Sequence, residues 1–173
     1  MNIEEIRLQA QNENTAPEIL AKLAENEDYL TRQYVTGNPN TPTKTLLILG
    51  REFSIELLSN PIIDLLLLEN LNLVNEIKKI IQIVAANKKT PHQLLKKIIE
   101  YKDLEIRANL ASNPKLPINL INILAKDRRV LVRANLASNP KLPRHLIKRF
   151  FKDKRILVQG NLAKNPKISQ YLI

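Results

Sequence analysis

The chain has 173 residues, 44% of them hydrophobic, no cysteine and a net charge of +10. That length and apolar share suit one folded domain rather than a disordered chain, and the lack of cysteine excludes disulfides, thiolate metal sites and cysteine-ligated iron–sulfur clusters. The expectation is an intracellular, cytoplasmic protein with no leader peptide and no membrane insertion, because residues 62–68, the longest apolar run, are interrupted by Asp64 and too few to span a bilayer.

Residues 1–14 carry Ile3, Ile6, Leu8 and Ala10 among Glu, Gln and Asn, as a polar-faced cap of stacked repeats does. Pro17 then opens a helix with Ile19, Leu20 and Leu23 at helical spacing, and residues 25–28 make a polar turn. A second helix from Leu30 ends at Gly37, Asn38 and Pro39, after which Thr41 and Pro42 start the next unit. The middle is degenerate: Ser59, Asn60 and Pro61 mark a boundary, and 65–68 and 74–86 read as helices. From Asn87 the pattern is firm. Asn87, Asn113, Asn139 and Asn165 stand 26 apart, Pro91, Pro117 and Pro143 follow the first three, and residues 107–117 recur letter for letter at 133–143, with a looser copy at 159–168. Self-similarity at such a period means stacked units, none able to bury its apolar face alone.

One unit shows how the chain turns. Pro114 lacks an N–H and cannot continue the helix before it, and Leu116, preceding Pro117, is biased to extended geometry. Pro117 suits the first turn of a new helix, in which Leu120, Ile121 and Leu124 share one face and Asn119, Asn122 and Lys126 the other. Asp127 suits the N-cap of the following helix, where Val132, Leu136 and Ala137 cluster on one side. The expected fold is all-α: an α-solenoid of about six helix-turn-helix repeats with a period of about 26 residues. It forms a single repeat domain over 1–173, with a cap at 1–14, acidic degenerate repeats at 15–86 and basic regular repeats at 87–173.

Val132, Arg133, Leu136, Ala137, Asn139, Pro140, Leu142, Pro143 and Leu146, with the first unit from Thr15 to Ala24, resemble the leucine-rich repeat variant family, a relative of HEAT and armadillo repeats. The resemblance implies a right-handed solenoid in which one helix of each unit can be partly 3₁₀, and an interaction scaffold rather than an enzyme. The iron–sulfur cluster of some members does not transfer to a chain without cysteine, and no cofactor is expected. As in HEAT repeats, Asp127 and Arg133 are expected to pair structurally; the alternative for the column Arg32, Arg107 and Arg133 is ligand contact. A charge on a packed face has to be paired to be tolerated, which favours the structural role.

Charge carries the functional signal. Residues 1–75 hold 5 Lys/Arg against 11 Asp/Glu, a net of −6, whereas residues 76–173 hold 22 against 6, a net of +16. Lys115, Lys141 and Lys167 recur in equivalent corners, and Lys126, Arg128 and Arg129 recur as Lys152, Lys154 and Arg155 at the opposite helix ends. His145, Lys148 and Arg149 add to the basic face of the helix after Pro143. Cation columns of this kind can follow a phosphate backbone, or serve only to keep a solenoid soluble. Asn109, Asn135 and Asn161 form a second column, read either as a hydrogen-bonding groove or as a ladder bonded along the solenoid. Residues 144–152 also read as a basic amphipathic helix whose apolar side, Leu146, Ile147 and Phe150, fits the core.

Catalysis has little support. His92 and His145 occupy different repeat positions, the three glycines are scattered, and Asp127 and Asp153 stand one repeat apart as turn residues. The primary expectation is a binding scaffold for an anionic partner, nucleic acid first and an acidic protein surface second. The alternative is a protein-interaction or self-assembly module with charge-complementary ends; at the C-terminal end either the chain is cut short, or Leu172 and Ile173 pack on a partner or a second copy.

Overall fold

The computed structural model describes residues 2–69 and 71–168. Among them there are thirteen α-helices and no strand. Helix α1 (Ile3–Gln11) precedes five helix pairs, α2 (Pro17–Leu23) with α3 (Tyr29–Gly37), α4 (Thr43–Leu49) with α5 (Ser54–Ser59), α8 (His92–Ile98) with α9 (Leu104–Ser112), α10 (Ile118–Leu124) with α11 (Val130–Ala137), and α12 (Arg144–Phe151) with α13 (Ile156–Ala163); α6 (Ile62–Glu69) and α7 (Leu71–Ala86) follow α5 in the chain. The first helix of each pair is α-helical rather than 3₁₀, and among the described residues only Ile168 takes 3₁₀ geometry.

By contact the chain divides into two compact units, Met1–Ile80 and Ile81–Ile173, with the division inside α7. It falls close to the change from degenerate to regular repeats read after Ala86. In the first unit α1 packs on α3 and α3 on α5, with α2 and α4 against them. Ala10, Leu20, Val35, Leu49 and Phe53 form the buried cluster, and the Tyr29 ring tilts against Phe53 at 4.9 Å between centroids. In the second unit α9, α11 and α13 stack in chain order, and α10 packs on both α9 and α11. The faces read from the sequence are the ones buried: Leu120, Ile121, Leu124, Val132, Leu136 and Ala137 are each 2% exposed or less.

The asparagine before each proline explains the faithful part of the repeat. Asn139 Nδ2 donates to the carbonyls of Ala111 (2.8 Å) and Asn113 (2.9 Å) in the preceding unit. Its Oδ1 accepts from the Lys141 N–H at 2.9 Å. Asn113 makes the same bonds to Ala85, Asn87 and Lys115, and Asn165 to Ala137, Asn139 and Lys167. The first unit repeats the device with Asn38 on Ala10 and Asn12, and Asn60 on Thr36 and Asn38. The acceptors sit at helix ends, where carbonyls lack intrahelical donors, so each buried amide closes one unit and ties it to the one before. Thr15, Thr41 and Thr90 add a hydroxyl bond of 2.6 Å to the carbonyl six residues earlier. Leu116 and Leu142 fill that position with fully buried apolar side chains instead.

Two local expectations shift by a residue or more. Pro42, Pro91, Pro117 and Pro143 stand just before their helices, with φ between −57° and −77° and ψ between 140° and 154°. Each proline carbonyl still takes the first helical bond, as Pro117 does from the Ile121 N–H at 3.0 Å; Pro17 alone lies inside its helix. Asp127 is not an N-cap. Its carboxylate accepts from the Arg129 N–H two residues on, and Arg129 occupies the cap position of α11 without a side-chain bond. Asp28 and Asp103 do cap their helices. Gly50 is needed where it is, because a Cβ there would run into the Leu57 side chain and lie 2.9 Å from the Leu46 carbonyl.

Candidate anion-binding site

The arginine column forms ion pairs one unit out of step with expectation. Arg133 does not pair with the Asp127 carboxylate; it donates Nη1 to the Asp127 carbonyl at 2.9 Å and Nε to Asp153 Oδ2 at 2.9 Å, in the following turn. Arg107 likewise reaches forward to Asp127 Oδ2 at 2.7 Å. Arg7 to Asp28 (2.8 Å) and Arg32 to Glu52 (2.9 Å) follow the same rule in the first unit. The reason is helical geometry: the guanidinium stem points back along its helix to its own turn, and the next unit stacks its turn beside that point. Arg32, Arg107 and Arg133 therefore each join two successive turns. A 20-residue spacing, repeated at Arg32–Glu52, Arg107–Asp127 and Arg133–Asp153, carried this signal in the sequence.

Asp127 is the most enclosed of these carboxylates, with 3% side-chain exposure. Burial pushes its pKa up, but hydrogen bonds from the Arg129 side chain and N–H and from Arg107 outweigh burial and hold it well below the usual carboxylate range. Arg129, expected among the anion-binding cations, is engaged here. Its Nε and Nη2 chelate the two Asp127 oxygens at 2.9 and 2.8 Å, and its Nη1 donates to the Lys102 carbonyl at 2.6 Å. The same contact raises the Arg129 pKa.

The equivalent corner one repeat later is different. Asp153 is held low by the Arg133 hydrogen bond, against burial, with the Arg155 N–H adding to it. Only the backbone of Arg155 bonds Asp153; its side chain, the counterpart of Arg129, is exposed and makes no ion pair. Arg133, Arg149, Lys152, Asp153, Lys154 and Arg155 line one open cleft of about 500 Å³. Arg149, Lys152, Lys154 and Arg155 are all exposed and, among the described residues, have no ion-pair or side-chain hydrogen-bond partner. Arg155 shares in the field of Asp153, but four exposed cations without an ion pair face one cleft whose single carboxylate is already held by Arg133, and their field attracts anions.

The remaining expected cations are dispersed. Lys126 and Arg128 are exposed one repeat before Lys152 and Lys154, and Lys102, passed over in the sequence, completes the column with Arg128 and Lys154 at the 26-residue spacing. Lys115 and Lys141 are exposed in the opposite corner, where Lys89 precedes them at the same spacing. Lys167 in that column is half-buried and directs Nζ to the Leu142 carbonyl at 3.4 Å. His145 and Lys148 are exposed on α12, whose Leu146, Ile147 and Phe150 are buried in the core.

The Asn109, Asn135 and Asn161 column is half-buried rather than open. Asn135 donates Nδ2 to the Ala108 carbonyl at 3.0 Å, so it bonds to the preceding unit's backbone instead of to Asn109. Ala108 and Ala134 beside it are buried. The C-terminal residues Leu172 and Ile173 lie outside the described residues. No helix among the described residues is long and apolar enough to cross a membrane. Comparison with protein-family models, with curated proteins and with solved structures finds no match for this chain.

Proposed function

We propose that the Ile81–Ile173 unit is a non-enzymatic binding module of the leucine-rich-repeat-variant kind, and that its cleft around Lys152 receives an anionic polymer, nucleic acid before an acidic protein surface. The observation that carries this reading is the set of four exposed cations, Arg149, Lys152, Lys154 and Arg155, on a single cleft, with no ion pair among the described residues. Arg7, Arg32, Arg107, Arg129 and Arg133 are committed to carboxylates, whereas these four cations converge on one cleft. Phosphates entering the cleft release their condensed counterions, and the gain needs no particular base sequence. The column Lys102, Arg128 and Lys154 extends the basic surface along the stacked units at steps of about 10 Å.

Electrophoretic shift with a mixed-sequence oligonucleotide in low salt tests this. Retarded migration that Lys152→Ala, Lys154→Ala and Arg155→Ala together strongly reduce is expected. Equal migration with and without protein removes the reading. Self-assembly is the second reading, favoured by the acidic first half and basic second half. Light scattering at low and high salt checks it: assembly that salt dissolves is required, and a monomer at both excludes it.

A further inference from the structure

The cationic cleft shares Lys152 with a neighbouring apolar depression of about 680 Å³, lined by Ile147, Phe151, Leu162 and Ile168 with Lys148 at its edge. Phe151 is out of keeping with its repeat position. Ile99 and Ala125, two repeats and one repeat earlier, are 7% and 0% exposed, whereas Phe151 is 70% exposed. Phe151 belongs to the last described helix pair, where Ala163 is exposed as well although its counterparts Ala111 and Ala137 are buried. Helix α10 stops at Leu124 and leaves the small Ala125 tucked into the turn, but α12 continues through Phe151. The Phe151 ring stands out next to Lys152 at the edge of the depression.

Resting on the anion-binding reading above, we propose that the ligand is single-stranded nucleic acid, with backbone phosphates held by Arg149, Lys152, Lys154 and Arg155 and a base stacked on Phe151. Cations alone would take a duplex equally well. A duplex keeps the faces of its bases stacked inside, so a lateral ring gains nothing from it, whereas a single strand turns its bases out to any aromatic surface beside a cationic track. Stacking of this kind is indifferent to base identity, which matches a site whose other groups are long, exposed cations rather than hydrogen-bonding side chains fixed in place.

The test uses the full chain with Phe151→Trp, which introduces the only tryptophan in the protein. Titration with oligothymidylate in low salt is expected to quench the indole emission, and a duplex of equal length is expected to leave it unchanged. In parallel, Phe151→Ala is expected to weaken single-strand binding about tenfold and duplex binding not at all, within the range of aromatic–base stacking. Phe151 is exposed, so thermal melting of the variants is expected to match the parent and confirms that loss of binding is not loss of fold. Unchanged emission on single-strand binding, or equal losses for both ligands, overturns the single-strand assignment while the anion site stands. Failure of both oligonucleotides to bind removes the anion reading as well. Capture by phosphatidylserine vesicles without capture by oligonucleotides overturns both in favour of a lipid headgroup, with the exposed Ile156 and Leu157 as its apolar contacts.

Discussion

The corners at Asp127 and Asp153 start from the same plan one repeat apart, with an acidic residue, two cations and an arginine reaching forward from the previous second helix. At Asp127 two guanidiniums close on one enclosed carboxylate, and Arg129 also ties back to the Lys102 carbonyl. At Asp153 only Arg133 pairs; Lys154 and Arg155 project outward and Lys152 and Arg149 join them across a cleft. The first corner uses its charge to hold successive turns together, and the second presents charge to solvent. The same residue types at the same repeat position thus serve construction in one unit and display in the next, and what separates them is the partner, not the charge.

Variants can break or sharpen this contrast. The largest effect is expected at the shared frame: Asn139→Ala strips the donor from two buried carbonyls and should cost about 3 kcal/mol of stability in a denaturant titration. Asp127→Ala comes next, at about 2 kcal/mol, because it leaves two partly buried arginines without their counter-ion. Asp153→Ala is expected to cost about half as much, since its carboxylate holds one arginine and is more open to solvent. Equal costs for the two aspartates would erase the distinction between the corners.

Protonation offers a graded version of the same comparison. Asp28, Asp127 and Asp153 all have folded-state pKa values held below the ordinary carboxylate value, Asp28 chiefly by its Arg7 hydrogen bond. Their contribution is therefore fully present above the unfolded-state pKa of about 4 and lost as pH falls through the lower folded values. Melting temperature followed from pH 7 to pH 2 should be flat to about pH 5 and then decline, with Asp127→Asn showing a shallower decline than the parent. The smallest stability effect is expected at the display corner: neutralising Lys152, Lys154 and Arg155 should change stability by no more than about 0.5 kcal/mol, as for surface positions without partners.

Much of the frame is legible in the sequence because periodicity reports burial directly. Leu120, Ile121, Leu124, Val132 and Leu136 lie where their helical spacing puts them, and the Asn-Pro steps mark the unit ends. Two things are not legible from one unit read alone. The arginine pairs cross from one unit to the next, so Arg133 finds Asp153 rather than Asp127, and only a 20-residue correlation across units reveals it. The fate of Arg129 against Arg155 has no sequence signal at all. Both follow an aspartate by two residues, and the difference lies in whether the guanidinium folds back onto that carboxylate and a neighbouring carbonyl. The exposure of Phe151 was similarly hidden, since an aromatic residue in line with Ile99 and Ala125 reads as core.

The central claim is that the exposed cations of the Asp153 corner bind phosphates. It is tested most directly by the salt dependence of single-strand oligonucleotide affinity, for the parent and for the triple variant Lys152→Ala, Lys154→Ala and Arg155→Ala. With four cations engaged, the plot of log affinity against log salt should have a slope of about −3, and the triple variant should flatten it to about −1. A parent slope near zero, or a triple variant with the parent's slope and affinity, would contradict the account.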